Sequence, residues 1–227
     1  MSLVLMLPCR EGIAMLSDGL ATFQKRDGSE VKGTVSQGKI RNLGHFGFSV
    51  NGCEFSIGAD GCPAFDAVCF TETFWTQREC SLTNESAGMF AEAFRAYLGM
   101  CRPKRSNLFN TDPDAPDMDV LIFLGDARTR RCAYLRASFA TFEVECRSGP
   151  YAVDAPVDVH YAGPHHEKLG DLIFPFIALM KAERVMDFPA NEAIERGQDL
   201  IERIAQRDVT VGGPIYSIVL TDGGQLQ

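Results

Sequence analysis

The sequence has little that would carry it to nucleic acid, into a bilayer or out of the cell. Its 22 Lys and Arg are outnumbered by 30 Asp and Glu, a net charge of −8, so the basic face that nucleic acid requires is lacking. No apolar run approaches the roughly 18 residues that cross a bilayer as a helix, which excludes membrane-spanning helices. Met1 to Pro8 carry neither a positive n-region nor a small-residue cleavage site, so a signal peptide is not expected and a cytoplasmic location is. GxSxG, a Walker loop, GxGxxG after a strand and HExxH are all absent, which removes the familiar hydrolase, nucleotide and zinc-protease signatures. No cofactor and no metal are expected.

The eight cysteines form no CxxC and no Cys/His cluster of zinc spacing, and in an intracellular chain they read as buried reduced thiols. His165-His166 are adjacent, and neighbouring helical residues diverge, so they read as surface or capping residues. The acidic run Asp112, Asp114, Asp117 and Asp119 lacks the Gly and terminal Glu of an EF-hand loop and reads as solvated. What is present is ordinary globular composition: 227 residues, 45% hydrophobic and 23% charged, with a mean hydropathy of −0.06. That excludes disorder and allows a sizeable core. No linker, repeat or composition shift divides the chain, so residues 1–227 are read as one domain.

Hydrophobic patterning orders the elements. Leu3 to Leu7 and Ile13 to Leu16 flank Arg10-Glu11-Gly12 as an opening hairpin. Residues 24–38 read as a long loop or extended hairpin, and two strands follow at Lys39–Leu43 and Phe46–Val50, ending at Asn51-Gly52. A first helix is predicted from Phe65, Val68 and Cys69, with Pro63 near its first turn. A second is predicted from the stripe Met89, Phe90, Ala93, Phe94, Tyr97 and Leu98, capped from Thr83, Asn84 or Ser86. Strands return at Val120–Leu124, Cys132–Leu135, Ala140–Val144 and Val157–Tyr161. Helices are predicted over Glu167–Arg184, with Pro175 inside, and Ala190–Gln206, before a last strand at Ile215–Leu220. Strands and helices in segregated runs imply α+β layers. The expected fold is a four-layer αββα sandwich of two antiparallel sheets flanked by helix pairs.

Four features in order suggest chemistry. Ser2 becomes N-terminal if Met1 is excised; Ser17-Asp18-Gly19 ends the second strand; Gly38-Lys39-Ile40 opens the third; Arg207-Asp208 and Gly212-Gly213-Pro214 join the last helix to the last strand. An N-terminal hydroxyl has a general base on its own residue, the α-amine, with a reference pKa near 8. It can pass its proton to that amine directly or through one water. An ammonium beside both groups favours their less positive forms. Each piece also has a plainer reading: a common second-position Ser, a turn Asp-Gly, a strand-edge Lys and a loop Asp.

In this order and spacing, with sixteen residues from Ser2 to Asp18, the sequence resembles the proteasome β-subunit family, including its simpler bacterial relatives, over essentially the whole chain. The resemblance implies an N-terminal-nucleophile peptidase or amidohydrolase. Ser2 would be the nucleophile, Asp18 would orient Lys39, Gly52 would offer its N–H to an oxyanion, and Asp208 would anchor the N-terminus and Lys39 from the far side. It also implies a homo-oligomeric ring, peptide or unfolded-protein substrates and an ATPase partner. Phe70, Phe74 and Trp75 are expected to be exposed interface residues.

Departures accompany the match. The nucleophile is Ser instead of Thr, and the Asp18–Lys39 loop is longer by a few residues. Val211 stands where the family has a serine after Asp208, and Tyr161-Ala162-Gly163-Pro164-His165 replaces a Ser/Gly-rich turn. Retention of Met1 would leave Ser2 without its base. Two alternatives therefore stand beside the peptidase: a catalytically silent structural subunit and a small-molecule amidase.

Overall fold

The computed structural model describes residues 3–20, 22–24, 30–32, 39–52, 55–57, 63–79, 81–101, 119–139, 141, 143–163 and 166–224. These form a mixed α/β structure with two principal antiparallel sheets and four α-helices. The opening hairpin joins β1 (Val4–Cys9) to β2 (Gly12–Asp18). With β12 (His160–Ala162) and β13 (Ile215–Leu220) these make a four-stranded sheet of order β12-β1-β2-β13. β5 (Ile40–Leu43), β6 (Phe46–Gly52), β9 (Asp119–Asp126), β10 (Arg131–Ser138) and β11 (Val144–Pro150) make a five-stranded sheet of order β11-β10-β9-β6-β5. Two short hairpins, β3 (Thr22–Gln24) with β4 (Glu30–Lys32) and β7 (Phe55–Ile57) with β8 (Pro63–Asp66), lie outside these sheets.

Strand alternation decides what each sheet face buries. Along β1, Leu3, Leu5, Leu7 and Cys9 turn to one core, while Val4 and Met6 turn to another. The first core is closed by α3 (His166–Ala182) and α4 (Ala190–Ala205). The second joins Val4, Met6, Ile13, Met15 and Leu220 of the smaller sheet to Phe123 and Cys132 of the larger. The third covers the larger sheet's other face with α1 (Ala67–Thr76) and α2 (Asn84–Cys101). Gly47 and Gly125, partners in the β6/β9 register, make room for Leu220 between the sheets. A Cβ on Gly47 would stand 2.9 Å from its methyls. α4 carries its apolar stripe at helical spacing, with Gly197, Leu200, Ile201 and Ile204 buried.

Several expectations are corrected. Pro63 and Phe65 belong to β8, paired with Ile57 and Ser56, and not to a first helix. That helix begins at Ala67, where the Asp66 carboxylate caps it by accepting the Cys69 N–H. Trp75 and Phe74 are core, because α2 covers the face they present, and Phe70 packs against that core. Met89 is exposed, whereas Phe90, Phe94 and Leu98 are buried as the stripe predicts. The strand expected at Ala140–Val144 begins at Val144, and the one expected at Val157–Tyr161 is His160–Ala162. Pro175 lies within a continuous α3. Thr83 caps α2, exchanging hydrogen bonds with Ser86. Asp112, Asp114, Asp117, Cys53, Cys62, Cys80 and His165 lie outside the described residues.

Among the described residues no helix is long and apolar enough to cross a membrane. The five described cysteines are free thiols. Burial pushes Cys9 and Cys146 up to about 11, so both stay protonated and unreactive at neutral pH.

Candidate active site

Asp18 ends β2 beside the start of β1, with Ser17 opposite Val4 in the register. Its side chain is fully buried, so its charge requires partners, and it has three. Oδ1 accepts the Leu3 N–H at 2.8 Å and the Lys39 ammonium at 2.6 Å; Oδ2 accepts the Gly212 N–H at 3.1 Å. Lys39, 3% exposed, also donates to the Leu20 carbonyl at 2.7 Å. An ammonium has three donors, so the described partners leave one uncommitted.

The glycines around this pair have steric causes. The Gly19 N–H donates to the Gly212 carbonyl at 3.1 Å, and a Cβ on Gly19 would strike the Pro214 carbonyl oxygen at 2.6 Å. Gly213 has φ +76, a left-handed conformation that glycine adopts without penalty. The Asp-Gly and Gly-Gly-Pro segments thus lock together, placing the loop from α4 to β13 over the end of β2.

Asp208 opens that loop. Its N–H donates to the Ile204 carbonyl at 2.8 Å, and its Oδ1 accepts the Thr210 N–H at 2.8 Å and the Thr210 hydroxyl at 2.6 Å, an Asx turn. Burial, and then the Asp208 charge, push the Tyr161 phenol well above its usual value. The Val211 N–H donates to the Asp208 carbonyl at 3.1 Å, and Gly212 next along reaches Asp18. Val211 itself is buried in the apolar cluster with Leu3.

Asp18 and Lys39 are therefore in direct contact, and Asp208 is joined to them through the loop 208–212. Ser2 lies outside the described residues; its neighbour Leu3 is the residue held by Asp18. Gly52 ends β6 with φ +88, exposed, and in register with Val120. The expected passage from Gly52 into the first helix is interrupted by β7 and β8.

Three buried polar side chains of the intersheet region, those of Asn51, Ser17 and Ser49, have no role in the resemblance drawn above. Asn51 Nδ2 donates to the Ala162 carbonyl at 3.4 Å, tying the two sheets. Ser17 and Ser49 Oγ have no hydrogen-bond partner among the described residues. The one available signal was a small polar residue interrupting an apolar strand. A cleft of about 680 Å³ between β9–β11 and residues 150–161, walled by Phe123, Tyr134, Tyr151 and His160, does not include Asp18, Lys39 or Asp208. Within it, burial lowers the His160 pKa despite Asp158 at 3.8 Å, leaving a neutral ring. Among the described residues no group of three or more His, Cys, Asp or Glu is placed to hold a metal ion.

No protein-family model matches the chain, and no curated protein matches its sequence. Solved structures do. The Anbu (Gly-1) mutant from Hyphomicrobium sp. strain MC1 is 14% identical, with a TM-score of 0.53 over 100% of this chain and 85% of that one. The helical assembly of the Anbu complex from Pseudomonas aeruginosa is 12% identical, with a TM-score of 0.52 over 96% of this chain and 81% of that one. At such identities the likeness is one of fold. It corrects the resemblance drawn from the motifs: the structural neighbours are Anbu, and not the proteasome β-subunit family to which Ser2, Asp18 and Lys39 pointed.

Proposed function

We propose that the chain is an Anbu-like N-terminal-nucleophile hydrolase that cleaves peptide or other amide bonds, with Ser2 exposed by removal of Met1. The observation that carries this reading is the buried Asp18–Lys39 pair hung on the Leu3 amide. A buried ammonium is costly and needs a purpose, and a nucleophile on the residue that precedes Leu3 would give it one.

In this mechanism the Ser2 hydroxyl attacks the amide carbonyl and its proton passes to the α-amine. The developing oxyanion takes the Gly52 N–H, a donor worth about 3 kcal/mol in comparable sites. Collapse breaks the C–N bond, the ammonium returns a proton to the leaving amine, and water hydrolyses the acyl-enzyme. Lys39 supplies positive charge next to the hydroxyl, Asp18 orients Lys39, and Asp208 anchors the N-terminus from the other side.

The same reading treats residues 1–227 as one domain, layered as an αββα sandwich: α1 and α2, the larger sheet, the smaller sheet, then α3 and α4. It makes the protein cytoplasmic and homo-oligomeric, acting on unfolded chains with an ATPase as feeder. The assembly described for the Pseudomonas aeruginosa neighbour supports self-association.

Val211, apolar and buried where a supporting hydroxyl was expected, favours a second reading, a silent structural subunit. Intact mass and one variant separate the two. The hydrolase should lack Met1, turn over a fluorogenic peptide amide or a small amide, and lose that turnover in Ser2→Ala with its assembly mass unchanged. Uniform retention of Met1, or equal turnover by Ser2→Ala, ends the nucleophile reading.

A further inference from the structure

Ser17 and Ser49 are fully buried, yet neither hydroxyl has a hydrogen-bond partner among the described residues. Both face the layer between the two principal sheets. On β2, Ile13 and Met15 point into the intersheet cluster, and Ser17 follows them at the strand period. On β6, Gly47 meets Leu220 across the layer and Asn51 reaches the Ala162 carbonyl, and Ser49 lies between them at the same period. Neither hydroxyl finds its partner within its own sheet. β2 is paired on both sides at Ser17, with Val4 and Tyr216, and β6 is paired on both sides at Ser49, with Ile40 and Phe123. The strand carbonyls there serve the ladders.

The two ends of this layer are built differently. At one end large side chains meet glycine: a Cβ on Gly125 would stand 3.1 Å from Ile13 Cδ1 and 3.3 Å from Met6 Sδ, so the sheets close there on apolar packing. Toward the other end small polar residues face the layer from both sheets, Ser17 from β2 and Ser49 from β6. Sheets stack about 10 Å apart, and two serines are too short to meet across that distance. A buried site that is polar and has room takes water. Leaving two buried hydroxyls unpaired costs more than immobilising one water.

We propose that Ser17 and Ser49 share an ordered internal water that ties the two sheets together beside the Asp18–Lys39 pair. Each serine is one step from a member of that pair: Ser17 precedes Asp18 in β2, and Ser49 is the register partner of Ile40, which follows Lys39. β2 and β5 are in contact, and Asp18 meets Lys39 at 2.6 Å, so both serines belong to the part of the layer that carries the ion pair. A hydroxyl both donates and accepts, so one water satisfies the two. The sheets are then held by packing at one end and by hydrogen bonds at the other. The inference rests on the fold and not on the hydrolase reading, and the two fail separately.

A crystal structure of the whole chain, at a resolution that shows ordered solvent, tests this directly. It should place one water within about 2.8 Å of both hydroxyl oxygens. Hydroxyls bonded to chain atoms or to each other, or without a common water, overturn the proposal. Urea unfolding of Ser17→Ala, Ser49→Ala and the double variant is a second test. Each single substitution strips the water of a partner and strands the other hydroxyl, and should lower the folding equilibrium constant about fivefold. The double variant should lose no more than a single one, because no hydroxyl is then left to satisfy. Single variants as stable as the parent or more so, or losses that multiply in the double variant, mean that the hydroxyls hold nothing in common and overturn the proposal.

Discussion

The two helix-covered faces of the molecule are built from different materials. α1 and α2 cover the larger sheet with rings: Trp75 stands 4.9 Å from Phe46, 5.3 Å from Phe74 and 5.5 Å from Phe90, and Phe65 meets Phe94, Tyr97 and Phe139. α3 and α4 cover the smaller sheet chiefly with Leu, Ile and Ala, and Gly197 brings α4 against Leu16 of β2. The buried ion pair belongs to the second region. Interlocked rings fix a core by volume and by edge-to-face geometry, and a charged pair would interrupt that packing. A thin aliphatic layer under a close helix leaves the end of β2 open to Lys39 from the neighbouring sheet. One region supplies bulk and the other supplies access.

If that division is right, the largest effect should come from the aromatic side and leave the ion pair intact. Trp75 is the only tryptophan and is fully buried, so Trp75→Ala should cost up to about 5 kcal/mol in urea unfolding. Trp75→Phe should cost less than about 1.5 kcal/mol, because its indole N–H has no partner among the described residues to lose. Equal losses in the two variants would show that ring volume is not what this core depends on.

Next in size is Lys39→Met, which leaves the fully buried Asp18 carboxylate with only the Leu3 and Gly212 amides. A buried pair broken on one side is strongly destabilising, here by about 3 kcal/mol. The double variant Asp18→Asn, Lys39→Met should recover much of the loss, since no charge is then stranded. Trp75 fluorescence reports the aromatic region and far-UV circular dichroism reports all of the chain. In Lys39→Met the two should still unfold together, because the intersheet cluster of Met6, Ile13, Phe123 and Leu220 couples the sheets. Separated transitions would mean two independent units.

Legibility in the sequence followed the same division. The opening hairpin, α4 and Ile215–Leu220 were readable because each has one period and a clear breaker at its end. The contact between Asp18 and Lys39 was readable from a resemblance in spacing, although the neighbours that the fold has are Anbu. The β7–β8 hairpin was not readable, because Phe65, Val68 and Cys69 share helical spacing whether or not a helix joins them. Phe70, Phe74 and Trp75 were misplaced for a tertiary reason: nothing local says that α2 returns to cover α1.

The smallest effect is also the most discriminating, since one substitution should change sign between the two regions. Gly88 lies on the exposed side of α2, and a Cβ there would meet nothing within 4 Å. Gly88→Ala should therefore stabilise the protein by somewhat under about 1 kcal/mol, through helix propensity and a less flexible unfolded chain. Gly197→Ala gains the same propensity, but its methyl would sit 2.9 and 3.0 Å from the two Leu16 methyls. Leu16 is fully buried, so relief means pushing α4 away or forcing Leu16 off its rotamer, at about 1–3 kcal/mol. The net should be a loss of about 1 kcal/mol, measured as opposite shifts of the urea midpoint at unchanged slope. Stabilisation by both would mean that α4 has slack against β2, and the thin aliphatic layer would no longer explain why the ion pair sits on that side.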